Sequence, residues 1–180
     1  NELQLLESRK EATAWVAVAV AALYGVPMDT VPDVIRRFSG VEHRIEYVTE
    51  KNGVAYYNDS KGTNPDAAIR GITAMNRPTV LIGGGFDKQS EYDEWIESFY
   101  GKVKKLILIG ETKKKIAETA RKCGFTAYMF ADTLEEAVTL ASREAKEGDA
   151  VLLSPACASW DMFGSYEERG EKFKELVKSL

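Results

Sequence analysis

One histidine and two cysteines are all that a chain of 180 residues offers in soft metal ligands. That scarcity excludes the usual Cys- and His-built zinc sites. Cys123 and Cys157 cannot make a disulfide framework, so a reducing cytoplasm is the expected compartment. No Cys-His motif frames Cys157, which reads as a small buried side chain and not a nucleophile. A cationic excess is missing as well: 24 Lys and Arg face 28 Asp and Glu, for a net charge of -4. Phosphate-backbone affinity comes from clustered cations, so a nucleic-acid partner is not expected. The longest apolar run, AWVAVAVAALYGV from Ala14, falls short of the ~20 residues a bilayer crossing needs. It reads as a buried helix, and no membrane partner follows. Neither a G-x-x-x-x-G-K-[ST] loop nor a G-x-G-x-x-G fingerprint occurs.

What is present is ordinary for a soluble globular protein, with 44% hydrophobic and 29% charged residues. The length predicts one main domain with a small appendage, and a monomer is expected. No basic, apolar and small-residue leader begins the chain. It opens on Asn1 and enters a helical pattern at once, which reads as a piece of something longer.

Lys10 to Tyr24 has a helical pattern closed by Gly25 and Pro27, and Thr30 is placed to cap a second helix over Pro32 to Phe38. After the hinge at Ser39-Gly40 the texture changes. RIEYVTE and VAYYND flank Asn52-Gly53, which predicts an antiparallel hairpin. Strands are then expected at Val54–Asn58, Thr79–Ile82, Lys105–Ile109, Ala127–Phe130 and Ala150–Leu153. Helices are expected at Pro65–Met75, Tyr92–Phe99, Lys113–Cys123, Leu134–Lys146 and Glu167–Val177, with Asn64, Thr112 and Thr133 as caps. The alternation predicts an α/β, Rossmann-like, mostly parallel doubly wound sheet with an antiparallel hairpin strand.

Ligands of such sheets sit beyond the carboxyl ends of the strands. Three loops there are unusually polar or glycine-rich: Asp59–Asn64, Gly83–Ser90 and Ser154–Gly164. In NDSKGTN, Asp59 and Lys61 flank Ser60 while Thr63 and Asn64 open a helix whose amides attract anions. In IGGGFDKQ three glycines permit close approach and Lys88 stands at the mouth. In SPACASWDMFGSY small residues run to Ser159 before Trp160, Phe163 and Tyr166. His43 and Arg44 sit where the first strand begins. Each feature also has a plain structural reading: turns, a flexible connection, surface charge.

Together, FSGVEHRIEYV, YNDSKGTNPDAA, LIGGGFDK and LLSPACASWDMFGSYEERGEKF are similar to the C-terminal half of the D-glutamate-adding Mur ligases. The resemblance implies a C-terminal Rossmann-like D-glutamate-binding domain over residues 40–180, preceded by a helical tail of a central ATP-binding domain over 1–39. It implies an ATP-dependent amide ligation in the cytoplasm, with ATP, D-glutamate and UDP-N-acetylmuramoyl-L-alanine as reactants and Mg²⁺ as the cofactor. Lys88, Thr63, Ser159 and Tyr166 resemble the D-glutamate site, Arg44 and Asp59 the nucleotide side, and Lys61 and His43 the catalytic groups. Tyr166 replaces a phenylalanine of some relatives. The segment Glu7 to Thr13 stands where the family shows GxHN, the phosphate loop and metal ligands are expected upstream, and the chain alone is expected to catalyse nothing. A sister ligase for another amino acid, a regulatory nucleotide-binding module and a structural module are the alternatives.

Overall fold

The computed structural model describes residues 16–37 and 40–180. The segment Glu7 to Thr13, the start of the first helix and the end of the second at Phe38-Ser39 lie outside the described residues. Two compact units divide the chain, Asn1–Gly40 and Val41–Leu180. In the first, residues 16–23 (α1) and Val31–Arg37 (α2) are helical. Thr30 donates its hydroxyl to the Pro27 carbonyl at 2.6 Å and so closes the preceding turn. Within this chain Val16, Val20 and Leu23 of the helix expected to be buried are exposed. The described residues of this unit are too few to enclose their own apolar surface.

The second unit is the α/β domain. Its six strands are β1 (Glu46–Lys51), β2 (Val54–Asn58), β3 (Thr79–Gly84), β4 (Val103–Ile109), β5 (Tyr128–Phe130) and β6 (Ala150–Leu153). Five helices alternate with them: α3 (Pro65–Thr73), α4 (Asp93–Glu97), α5 (Lys113–Lys122), α6 (Leu134–Glu144) and α7 (Tyr166–Ser179). The sheet order is β1-β2-β6-β3-β4-β5. All neighbours are parallel except the β1–β2 pair. That pair turns at Asn52 and Gly53, both with positive φ, the geometry the Asn-Gly dipeptide favours.

Strand periodicity sorts the core into two layers. Leu81, Leu106, Leu108 and Leu152 point toward Ile72 of α3, Trp95 of α4 and Ile116 of α5. Their neighbours Val80, Ile82, Ile107, Val151 and Leu153 point toward Val138 of α6 and Phe173 of α7. Each such side chain contributes about 1.5–3 kcal/mol on burial. Several ends differ from the sequence expectation by a residue or two, and α4 is the shortest helix, since only Asp93–Glu97 is helical within the expected Tyr92–Phe99. Asn64 and Thr133 cap as expected, accepting the amides of Ala67 and Glu136. Thr112 does not cap α5, because its hydroxyl is bonded to Gly85 across the sheet edge.

The register positions the site. Asn58 pairs with Leu153, and Leu153 with Ile82, so β2, β6 and β3 end side by side. Their loops leave the sheet along one edge.

Candidate functional site

The loops are bound to each other at that edge. Ser154 donates to Asp59 Oδ2 at 2.7 Å, Gly84 N–H to the Pro155 carbonyl at 2.8 Å, and Phe86 N–H to the Ala158 carbonyl at 3.0 Å. The exposed Trp160 ring packs on Phe86 with centroids 5.6 Å apart. Thr112 adds the loop after β4 by accepting the Gly85 N–H and donating to its carbonyl, both at 3.0 Å.

Sequence reasoning missed the residue that joins most of these pieces, Arg169. It is 1% exposed in the first turns of α7. Its Nε donates to Ser60 Oγ at 3.0 Å and Nη2 to the Ser60 carbonyl at 2.9 Å. The same guanidinium reaches the Cys157 carbonyl at 3.2 Å and the Ala158 carbonyl at 3.3 Å. One planar fork thus fixes the loop after β2 against the loop after β6, a geometry lysine cannot copy. Burial pushes its pKa down to about 10. The sequence signal was the arginine inside the helix of EERGEKF, at a position whose neighbours Phe173 and Val177 are core.

Asp59 is the second buried anchor. Its side chain is fully buried, with Oδ1 accepting the Ile45 N–H at 3.2 Å and Oδ2 the Ser154 hydroxyl. Burial pushes its pKa up to about 6, against the Ser154 hydrogen bond and the Arg44 charge that pull it down. A Cβ on Gly62 or Gly71 would stand 2.7 Å from Oδ2, so both glycines leave the space the carboxylate fills. The expected ligand-facing Asp59 is therefore an inward-facing one: both oxygens serve neighbouring loops. It also holds Ile45 at φ 49°, a conformation a β-branched residue rarely adopts.

His43 is buried too, and is not surface decoration. Asn58 accepts the Ser60 N–H on Oδ1 at 3.1 Å, which turns its amide nitrogen toward His43 Nδ1 at 2.9 Å. An amide nitrogen only donates, so Nδ1 accepts, and Nε2 faces Glu171 Oε1 at 3.7 Å. Glycine at 170 gives the ring its place, since a Cβ there would collide with Nδ1. The His43 carbonyl receives the Lys61 N–H at 3.0 Å.

Lys61 extends its ammonium to the Tyr166 hydroxyl at 2.9 Å, and Tyr166 receives the Ser60 hydroxyl on its carbonyl at 2.8 Å. Lys61, Tyr166 and His43 are thus one group, with Asp59 behind them. Thr63 lies two residues along the same loop, and Ser159 follows the Ala158 that Arg169 holds. Among the described residues, the side chains of Thr63, Ser159, Arg44 and Lys88 have no hydrogen bond or ion pair to another residue, and Lys88 is exposed on the loop after β3. The edge therefore carries uncommitted cations and hydroxyls, of which Lys88 is exposed, Thr63 and Arg44 are half-buried and Ser159 is buried. That combination suits an anionic ligand. Cys157 lies below it, its thiol pushed up by burial against Tyr92 and Thr112.

The three-residue group Glu42, His43 and Glu171 brings ligand atoms within 4.8 Å of one another. The Lys174 ammonium already lies 2.7 Å from both carboxylates. Burial draws the Lys174 pKa down, but its bonds to Glu171 and Glu42 more than offset this and raise it. The group is an ion-pair network and does not fit Mg²⁺. No helix among the described residues is long and apolar enough to cross a membrane.

A mostly parallel α/β sheet with its strand-end loops tied along one edge is the class of domain defined here, and the chain belongs to the Mur ligase family: the profile of the Mur ligase, glutamate ligase domain matches residues 43–157. Among individual proteins, it is 51% identical over 180 residues to the UDP-N-acetylmuramoylalanine--D-glutamate ligase of Lachnospira eligens, covering 100% of this chain and 40% of that protein. The protein of that name from Thermoanaerobacter sp. is 59% identical over 169 residues, 93% of this chain and 37% of its own length. The chain thus spans about two-fifths of these relatives. In fold it is similar to the UDP-N-acetylmuramate-alanine ligase of Thermotoga maritima, with a TM-score of 0.68 at 16% identity over 95% of this chain and 38% of that one. FolC of E. coli, solved with ADP, gives a TM-score of 0.60 at 20% identity over 89% of this chain and 38% of that one.

Proposed function

We propose that the chain supplies the amino-acid-binding half of an ATP-dependent ligase that adds D-glutamate to UDP-N-acetylmuramoyl-L-alanine in the cytoplasm, for peptidoglycan synthesis. The observation that carries this reading is the tied edge of lysines and hydroxyls, in a chain more than half identical to relatives named for that reaction. Residues 40–180 form the D-glutamate-binding domain and residues 1–39 belong to a central ATP-binding domain. The exposed Val16, Val20 and Leu23 support this division, since such side chains belong under a larger core.

The chemistry runs through an acyl phosphate. An oxygen of the L-alanine carboxylate attacks the γ-phosphorus of ATP, and ADP leaves. The D-glutamate amine, in its unprotonated form, attacks the acyl carbon and gives up one proton as the C–N bond forms. The tetrahedral intermediate then expels inorganic phosphate with the C–O bonding pair, leaving the amide. Lys88, Thr63, Ser159 and Tyr166 hold the amino acid, because a dicarboxylate is well matched by one ammonium and several hydroxyls. Lys61 stabilises charge on the transferring phosphoryl group, and Arg44 lies on the nucleotide side. Asp59 and His43 set the backbone that presents Lys61. Mg²⁺, when bound, neutralises phosphate charge; the described residues offer no fitting ligand set for it.

The test is ADP release by the complete polypeptide of the reading frame with UDP-N-acetylmuramoyl-L-alanine and a panel of amino acids. D-glutamate is expected to be strongly preferred; equal rates with D-aspartate or L-lysine overturn the reading. Lys88→Ala is expected to raise the D-glutamate KM by roughly tenfold or more, through loss of one charge-assisted contact.

A further inference from the structure

We infer that the Tyr166 hydroxyl is a positioning group for Lys61, so that the residue expected to touch the amino acid also fixes the ammonium that serves the phosphoryl group. The inference rests on the proposed ligase reading.

A lysine ammonium sits at the end of four rotatable bonds, and its position is undefined unless something holds it. Here both ends of the side chain are held. At its base, the Lys61 N–H is bonded to the His43 carbonyl at 3.0 Å. At its tip, Nζ donates to the Tyr166 hydroxyl at 2.9 Å and lies 4.8 Å from that ring's centroid. The phenol is itself immobilised. Its residue begins α7, its carbonyl takes the Ser60 hydroxyl at 2.8 Å, and its ring meets the His43 ring edge-on at 6.0 Å. Ser60 is in turn gripped by Arg169. The chain of contacts from the core to Nζ is therefore continuous. The Tyr166 side chain also meets the Glu167 carboxylate, but among the described residues no acid pairs with the Lys61 ammonium itself, whose partner is the phenol oxygen. A neutral oxygen orients the ammonium without cancelling its charge, whereas an acid partner would spend that charge before a phosphoryl group arrived.

Tyr166→Phe separates this role from a contact with the amino acid, since it removes one oxygen and keeps the packed ring. In the complete enzyme, the expected result is a fall in kcat of roughly threefold to tenfold, beyond whatever rise in the D-glutamate KM the lost hydroxyl contact brings. A raised D-glutamate KM at unchanged kcat shows a ligand contact only and overturns the inference, as does no change in either constant. Lys61→Arg in both backgrounds closes a double-mutant cycle. Tyr166→Phe is expected to lose most of its effect when position 61 is altered, whereas additive losses show independent roles and also overturn the inference. Wild-type enzyme that releases no ADP in response to D-glutamate removes the ligase reading, and this inference with it. Failure of the inference alone leaves that response intact.

Discussion

Replacing Asp59 by Asn gives a quantitative test of the buried base of the site. The carboxylate is fully buried, and its pKa is raised from 3.8 to about 6. At ~1.4 kcal/mol per unit, a shift of about two units corresponds to about 3 kcal/mol. Between about pH 4 and pH 6 the folded protein holds a proton on this group that the unfolded chain has released. Stability from Asp59 therefore falls as pH rises through that window and is flat above it. Asparagine has no charge to desolvate, can accept the Ile45 N–H, and can donate its amide to a rotated Ser154 hydroxyl. The stability of Asp59→Asn relative to wild type is thus expected to improve by about 3 kcal/mol from pH 4 to pH 7. Urea titrations at pH 4, 5, 6 and 7, followed by circular dichroism, read this directly. With slopes of ~2 kcal/mol/M, the two midpoints should shift relative to each other by about 1.5 M. Parallel midpoint-versus-pH curves would refute the reasoning, because they would mean that the carboxylate is solvated in the folded state.

Two further changes probe the same framework by other means. Gly170→Ala lies inside α7, where an added methyl usually stabilises a helix by ~1 kcal/mol; here the methyl collides with the His43 ring, so thermal unfolding should show a loss, of about 1–3 kcal/mol, and a gain in melting temperature would mean that the ring moves freely. Arg169→Leu strips the donors from the Ser60 and Cys157 carbonyls, each unpaired buried acceptor costing ~1–3 kcal/mol. Removing a desolvated cation returns part of this, so a net loss of about 1–3 kcal/mol is expected by urea titration, with faster proteolysis of the loop after β6.

The parts of the fold that could be read from the sequence are those settled locally. Asn52-Gly53 forms a hairpin because both residues tolerate positive φ. Asn64-Pro65 starts a helix because an amide side chain can cap it and proline accepts the first position. Thr112 looks the same in sequence but spends its hydroxyl on Gly85, 27 residues away, and no local pattern encodes that choice. The candidate site was legible as residue types on the right loops. Which of them face outward was not. Asp59 and His43 are polar residues in a polar stretch, yet they are drawn inward by Ser154 and Asn58, while Lys88 stays exposed. The core-facing position of Arg169 was legible in the α7 pattern, but its partners were not, since most are carbonyls, which every residue possesses.

The place of β6 between β2 and β3 has a consequence for how the chain folds. Two central strands must wait, with facing edges unpaired, until residues Ala150–Leu153 arrive to fill the gap. Synthesis from the amino terminus delivers those residues last among the six described strands. A nascent or prematurely terminated chain ending before them exposes two apolar, unsatisfied strand edges, which favours pairing between molecules over pairing within one. Pairing across such sequence separation predicts slow refolding, with the edge loops acquiring their mutual bonds only once β6 is in place.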